Sequence, residues 1–111
     1  MENIRDIYNY FLDKKCKDIA IYDLSKEGQS FDYLVALTTS SVVNNKKLAL
    51  QLMEDIGLEK YPEGYNKGEW IVYDFDSIVI HSFLPTTRAK YNVDRVWQSK
   101  RVDEKLLKGE E

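Results

Sequence analysis

The chain has 111 residues, of which 43% are hydrophobic and 32% are charged, with a formal net charge of −3. This length supports one hydrophobic core, so we expect a single domain over residues 1–111, and the apolar fraction excludes an intrinsically disordered chain. The net charge argues against broad attachment to phosphate backbones, because that mode of binding uses a clustered excess of Lys and Arg. The sequence has no apolar run of membrane-spanning length and no signal-peptide pattern at its start, so we expect a cytoplasmic protein.

The first third of the chain predicts a helix followed by two strands. Asn3 is placed to cap a helix whose apolar residues recur at three- and four-residue spacing, namely Ile4, Ile7, Tyr8, Phe11 and Leu12. Residues 18–24 and 31–37 read as strands separated by a polar turn at 25–30. The unbroken apolar run at 34–37 predicts a central strand that is covered on both faces.

The middle of the chain predicts a second helix, a loop and a hairpin. Leu48, Leu52 and Ile56 form the apolar stripe of the helix, and Gly57 is its natural stop. The segment 59–68 has no clear period and contains Pro and Gly, so we expect a surface loop. Residues 70–75 and 78–83 then predict an antiparallel pair of strands joined by a tight turn.

The end of the chain predicts one more helix and a charged tail. Thr86 or Thr87 is placed to cap this helix, on which Ala89, Val93, Val96 and Trp97 are expected to share a face. From about residue 100 most residues are charged, which predicts a frayed or extended helical tail. The order α-β-β-α-β-β-α predicts an α+β (α/β layered) fold with a mixed central sheet flanked by helices.

Hydrolytic and metal chemistry find little support in the residues. Cys16 and His81 are the only Cys and the only His, and nothing in their spacing brings them together for nucleophilic catalysis. One Cys and one His are also a poor supply of zinc ligands. We therefore expect no metal and no cofactor.

Nucleotidyl transfer is the strongest enzymatic alternative. It uses a Gly-Ser turn before a helix to hold phosphates, and alternate carboxylates to hold magnesium. Thr39, Ser40 and Ser41 precede a predicted helix, and Asp74 and Asp76 alternate, but the turn has no glycine and the Asp76-Ser77 pair is already explained as hairpin-turn chemistry. A nucleotide-binding or nucleotidyltransferase-like enzyme stays the second hypothesis, and a general oligomerisation module the third.

The single histidine and the two tryptophans leave alternatives open. His81 alternates with Val79 and Phe83 on one strand face, where it is either a satisfied structural residue or a functional one. Trp70 and Trp97 fit either a core or a binding anchor, since Trp is enriched in both.

Four segments in order resemble the Iojap or ribosomal silencing factor family. They lie at residues 17–24, at 31–41 with its Asp-Tyr strand and Ser-containing bend, at 63–83, and at 88–97 with its Arg, Tyr and Trp positions. The bend lacks the glycine and the following arginine that are common in the family. Asp94 stands where the family usually has Glu, and Val93 and Val96 stand where leucines are usual.

The resemblance implies a nucleotidyltransferase-like sheet that has lost catalysis and binds the large ribosomal subunit at large-subunit ribosomal protein fourteen. Occupying that position blocks joining of the small subunit and represses translation, typically under nutrient limitation. It implies a monomer or homodimer, with no sequence-specific nucleic-acid contact and no membrane. The candidate partner contacts are Trp70, Asp74, His81, Phe83, Arg88 and Tyr91. Packing against the hairpin is the alternative role for Arg88 and Tyr91.

Overall fold

The structure is a computed structural model that describes residues 3–109. Its elements in chain order are α1 (Ile4–Asp13), β1 (Lys17–Asp23), β2 (Tyr33–Thr38), α2 (Val42–Ile56), β3 (Trp70–Phe75), β4 (Ile78–Phe83), α3 (Pro85–Tyr91), α4 (Asp94–Trp97), a 3-10 turn (Gln98–Lys100) and α5 (Glu104–Leu107). The strands form one mixed sheet in the order β1-β2-β4-β3. This confirms the predicted α+β fold with helices packed on a mixed sheet.

The parallel pair β2 and β4 forms the centre of the sheet. β1 pairs with β2 and β3 pairs with β4, both antiparallel. Every residue of β2 from Leu34 to Thr38 is buried, which confirms a central strand covered on both faces. Asp76 in the β3–β4 turn has φ 54°, a left-handed conformation that Asp tolerates, so the tight hairpin is also confirmed.

Both ends of α2 follow from local side-chain chemistry. Ser41 accepts a hydrogen bond from the backbone N–H of Asn44 at 3.1 Å and so caps the start of the helix. Gly57 ends the helix at φ 72°, as predicted. Within the helix the buried Asn45 donates to the carbonyl oxygens of Gly68 and Ser82, which ties α2 to the loop and to β4.

The two faces of the sheet are covered to different extents. The face that we term the closed face carries Val35, Ile71 and Ile80, and it packs against α1 and α2 in the main apolar core. The opposite face, which we term the open face, carries Trp70, Val72, Asp74 and His81 and is covered in part by α3 and α4. The open face is the half-covered side of the molecule.

The predicted last helix is wrong in its start and its length. Pro85 is its first residue, after Leu84, and no side chain caps it, so neither Thr86 nor Thr87 is the cap. Asn92 adopts a left-handed conformation with φ 49° and divides the segment into α3 and α4. Val96 is consequently 70% exposed and does not share a buried face with Ala89.

The C-terminal segment packs onto the sheet, so its described part is neither a frayed end nor an extended helical tail, and that prediction is also wrong. Arg101 bridges Tyr22 at the outer edge of β1, and the Val102 N–H donates to the Ile21 carbonyl oxygen at 2.8 Å. Leu107 of α5 is buried against α1 and the closed-face core. This covers an edge strand that would otherwise offer free hydrogen-bonding groups. Glu110 and Glu111, also assigned to the tail, lie outside the described residues.

Across residues 3–109, the helices are all too short or too polar to cross a bilayer.

Candidate functional site

The hairpin presents a partly exposed strip on the open face. Trp70, Val72 and Asp74 alternate along β3 and therefore project to one side, opposite Phe83, His81 and Val79 of β4. Asp74 is exposed, while Trp70 and Val72 are half-buried. The pair β3 and β4 is consequently the main accessible part of this face, with apolar and acidic side chains that reach solvent.

Trp70 is held by ring contacts and by one hydrogen bond. Its ring centroid lies 5.1 Å from that of Phe83, which is fully buried beneath it, and 4.9 Å from that of Tyr91 on α3. Its indole Nε1–H donates to Nδ1 of His81 at 2.9 Å. These contacts fix the orientation of a ring that is still partly open to solvent. Because the ring is already ordered, less entropy would be lost if a partner bound to it.

His81 acts here as a hydrogen-bond acceptor. Burial lowers its pKa below the ordinary 6.5, against opposing effects of Asp94 and Asp74. At neutral pH the ring is therefore uncharged and its Nδ1 can accept the Trp70 proton. Of the two roles left open for His81, the structural one agrees with this geometry, and the residue is half-buried.

The loop before β3 is held against the strand by close backbone contact. The Val72 N–H donates to the Glu63 carbonyl oxygen at 3.0 Å, which closes part of the outer edge of β3. Gly64 has φ +83°, and a Cβ atom at that position would collide with the Trp70 carbonyl oxygen. Glycine is therefore required for the loop to lie beside Trp70.

Arg88 belongs to a separate polar network. Its guanidinium makes two hydrogen bonds to the Asp94 carboxylate, at 3.0 and 2.8 Å, and a third to the Asp18 carbonyl oxygen. The Tyr22 hydroxyl donates to the same carboxylate at 2.5 Å. Burial opposes the ionisation of Asp94, but these hydrogen bonds outweigh it and lower its pKa. The network fixes α3 and α4 across the sheet to β1.

The six predicted contacts therefore separate into three groups. The structure brings Trp70, His81, Phe83 and Tyr91 together, with Phe83 wholly inside. Asp74 lies further along the same face, paired with Val79. Arg88 points away from the cluster to Asp94. Sequence reasoning missed Val72, although its alternation with Trp70 was the signal that could have found it.

The enzymatic arrangements considered from the sequence are not assembled among the described residues. Ser41 follows the carboxyl end of β2, whereas Asp74 and Asp76 lie at the other end of the sheet, since Thr38 pairs with Phe83 and Asp74 with Val79. Cys16 is buried in the closed-face core, on the opposite side of the sheet from His81. Residues 3–109 contain no group of three or more His, Cys, Asp or Glu placed to hold a metal ion.

Comparison with known proteins places these features in a family. The model of a family described as "Ribosomal silencing factor during starvation" matches residues 1–111. A ribosomal silencing factor from Chromobacterium violaceum is 32% identical over 89 residues, covering 77% of this chain and 73% of the relative. One from Bacillus subtilis is 25% identical, covering 77% and 75%. A mouse protein named for mitochondrial assembly of the large ribosomal subunit is 25% identical, covering 84% of this chain and 44% of its own length.

Solved structures share this fold over most of the chain. A crystal structure of a Chromobacterium violaceum protein superposes with a TM-score of 0.73 at 29% identity, covering 86% of this chain and 87% of that one. A second, from Bacillus halodurans, gives 0.67 at 25% identity, covering 90% and 93%. Sequence and fold agree over most of the chain, and this protein belongs to the ribosomal silencing factor family.

Proposed function

We propose that this protein is a non-catalytic translation repressor that acts in the cytoplasm by binding the large ribosomal subunit. In this proposal the open face binds large-subunit ribosomal protein fourteen, and the bound protein stands where the small subunit would join. Translation falls because subunits cannot associate, most usefully when nutrients are scarce. Family membership supports the ribosomal role, and the exposed residues of the open face support the choice of contact surface.

The observation that carries the proposal is the half-exposed Trp70 between His81 and Tyr91. Binding energy at protein interfaces concentrates on oriented aromatic residues near the centre of the contact. Tyr91 is 53% exposed and extends the apolar surface of Trp70. Beside them, Gly64, Thr87 and neighbouring residues line a cleft of about 210 Å³, large enough to receive a partner side chain.

Charge favours a basic partner at this surface. Asp74, Asp76 and Glu63 are exposed on or beside the hairpin, and Glu69 is half-exposed next to Trp70. Acidic groups around an aromatic centre complement Lys and Arg on an opposing surface and speed association. The polar rim and apolar centre together match the usual anatomy of a specific interface.

The test is sedimentation of the full chain with separated ribosomal subunits, followed by assay of joined ribosomes. The wild type is expected to migrate with the large subunit and to lower the fraction of joined ribosomes. Asp74→Lys places a positive charge against the basic partner, and we expect binding weaker by about tenfold or more. Trp70→Ala removes the anchor, and its binding is expected to fall by at least about thirtyfold.

A matched control separates this surface from general charge effects. Glu54→Lys changes the charge by the same amount at an exposed position of α2, on the helix side of the sheet. It is expected to bind like the wild type. Because Trp70 also packs on Phe83, the thermal unfolding of each variant is measured first. Absence of comigration by the wild type would refute ribosome binding, and equal loss in both Lys variants would refute this contact surface.

A further inference from the structure

A second cleft lies on the other side of the molecule, between the end of α1 and α2. It measures about 350 Å³, and its lining includes Lys14, Lys15, Cys16, Thr39, Lys47 and Leu48. The cleft opens beyond the carboxyl end of β2, where Lys17 of β1 pairs with Thr38. In open α/β sheets, ligands bind outside the carboxyl ends of the strands. None of the open-face contacts takes part in this cleft.

The lining is strongly basic in a chain whose net charge is −3. It contains three lysines and no carboxylate. Lys14 lies 4.0 Å from Asp55 Oδ2, outside the lining, and over the Tyr10 ring. Among the described residues Lys15 and Lys47 have no ion-pair partner within 4.0 Å. Two ammonium groups at one cleft are therefore free to meet an anion.

Thr39 gives an independent indication of a ligand. The residue is 8% exposed, and within residues 3–109 its hydroxyl oxygen has no hydrogen-bond partner. An unsatisfied buried hydroxyl costs about 1–3 kcal/mol, so such groups are normally paired. Its neighbour Thr38 illustrates the usual case, since that hydroxyl donates to the Lys17 carbonyl oxygen at 3.1 Å.

The other lining groups indicate the chemistry of the ligand. Lysine ammonium groups bind phosphate as point charges, and the lining has no arginine fork for bidentate carboxylate recognition. Leu48 and Cys16 supply an apolar wall, which suits a phosphate ester with an organic group better than a bare ion. We propose that this cleft binds the phosphate group of a small phosphate ester, such as a nucleotide, through Lys15, Lys47 and the Thr39 hydroxyl, which rotation of the Thr39 side chain brings to the surface of the cleft.

Binding here would not make the chain a nucleotidyltransferase. Asp74 and Asp76 lie at the opposite end of the sheet, so no carboxylate pair is available at the cleft to hold magnesium beside a bound phosphate. The proposal is also independent of ribosome binding. It can be tested on the isolated chain, and its failure would leave the open-face proposal untouched.

Cys16 provides a reporter of the cleft, because it is the only cysteine and lines the cleft. The residue is 6% exposed, so alkylation of its thiol requires the cleft to open, and a bound ligand is expected to slow that opening. The full chain is alkylated with iodoacetamide at pH 9, with pyrophosphate, AMP, or sodium chloride of matched ionic strength. We expect pyrophosphate or AMP at millimolar concentration to slow alkylation of Cys16 at least about threefold, while sodium chloride has no effect. Protection by AMP alone would support the proposal with a need for the organic group, and protection by both would show that phosphate suffices.

Variants test the contacting groups. Lys47→Glu is expected to raise the ligand concentration needed for half-maximal protection of Cys16 at least about tenfold, since it replaces a charge-assisted contact with repulsion. Thr39→Val keeps the shape and removes the hydroxyl; it should weaken binding about threefold to tenfold without lowering the melting temperature, because that hydroxyl makes no bond in the folded chain. Lys60→Glu, beyond the far end of α2, is the matched charge control. Equal protection by chloride and phosphate, or no protection by pyrophosphate and AMP, would overturn the proposal.

Discussion

The two faces of the sheet are made by the same strands but differ in what covers them. On the closed face Ile71, Ile80 and Val35 are fully buried under α1 and α2. On the open face Trp70, Val72 and His81, which alternate with those residues, keep part of their surface in solvent. Because successive strand residues point to opposite sides, one short hairpin supplies both the core and the accessible strip. The contrast teaches that one side of β3 and β4 builds the core, and that the other side is left available for the docking proposed above.

The largest expected effect is on the closed face. Leu52→Ala removes a fully buried side chain of α2 and leaves a cavity, which should lower the free energy of unfolding by about 3 kcal/mol. Leu50→Ala is the matched control, since Leu50 lies on the same helix but is 45% exposed, and it should cost less than about 1 kcal/mol. Urea unfolding followed by tryptophan fluorescence measures both. Equal losses would contradict the division between closed core and exposed helix surface.

The sequence could predict the elements whose signals are local. Ser41, Gly57 and the Asp76 turn each set a boundary through the chemistry of one or two residues, and the structure confirms the helix stop and the hairpin. The unbroken apolar run at 34–37 likewise predicted a covered central β2. These parts of the fold follow from short-range rules that the chain cannot easily override.

The features that the sequence did not predict depend on distant contacts. The break at Asn92 lets Asp94 turn back to Arg88 and reach Tyr22, which is 72 residues away in the chain. The docking of Val102 on Ile21 and the meeting of Trp70 with Tyr91 likewise depend on the finished sheet. Helical periodicity predicted one continuous helix. The helix instead breaks at Asn92, because the break allows the ion-pair network to form and so satisfies polar groups that are half-buried.

The next effect is on the network that holds α3 and α4 over the open face. Asp94→Asn leaves the half-buried Arg88 without its charge partner, and the free energy of unfolding should fall by about 2 kcal/mol at pH 7. Since the folded chain lowers the pKa of Asp94, its stabilisation is complete above the ordinary value of 3.8 and is lost as pH falls through the lower folded value. The difference between wild type and variant should therefore shrink only under strongly acidic conditions.

Urea unfolding at pH 7 and at pH 3 measures this difference. Asp32→Asn, at an exposed position before β2, is the control and should leave stability within about 0.5 kcal/mol. A gap between wild type and Asp94→Asn that widens toward low pH would contradict the assigned sign.

A smaller effect is expected from His81. Because burial lowers its pKa below 6.5, the folded chain binds fewer protons than the unfolded chain just below that pH. The contribution of His81 to the free energy of unfolding should be constant above about pH 6.5 and should decline as pH falls below it. The decline accompanies protonation of Nδ1, which removes the acceptor of the Trp70 hydrogen bond. The imidazole NMR signal of this single histidine is expected to titrate with a midpoint below 6.5.

Trp70→Phe tests the hydrogen bond directly. It keeps an apolar ring at position 70 but removes the N–H that favours neutral His81, so the midpoint of the His81 titration should rise toward 6.5. A wild-type midpoint at or above 6.5 would show that His81 is not the acceptor described here.

The smallest expected effect on the free energy of unfolding is that of Tyr91→Ala, a variant for which we expect a clear effect on binding. Tyr91→Ala removes an exposed ring, and we expect a loss below about 1 kcal/mol in the free energy of unfolding. Its large-subunit binding should nevertheless fall about tenfold, because the ring extends the Trp70 surface. Tyr61→Ala is the matched control: Tyr61 is 64% exposed and also contacts one aromatic ring, that of Tyr65, which packs toward the closed-face core. If both tyrosine variants lose binding equally, the contact is not confined to the open face; if Tyr91→Ala unfolds as readily as Leu52→Ala, Tyr91 belongs to the core and the two faces do not divide folding from docking.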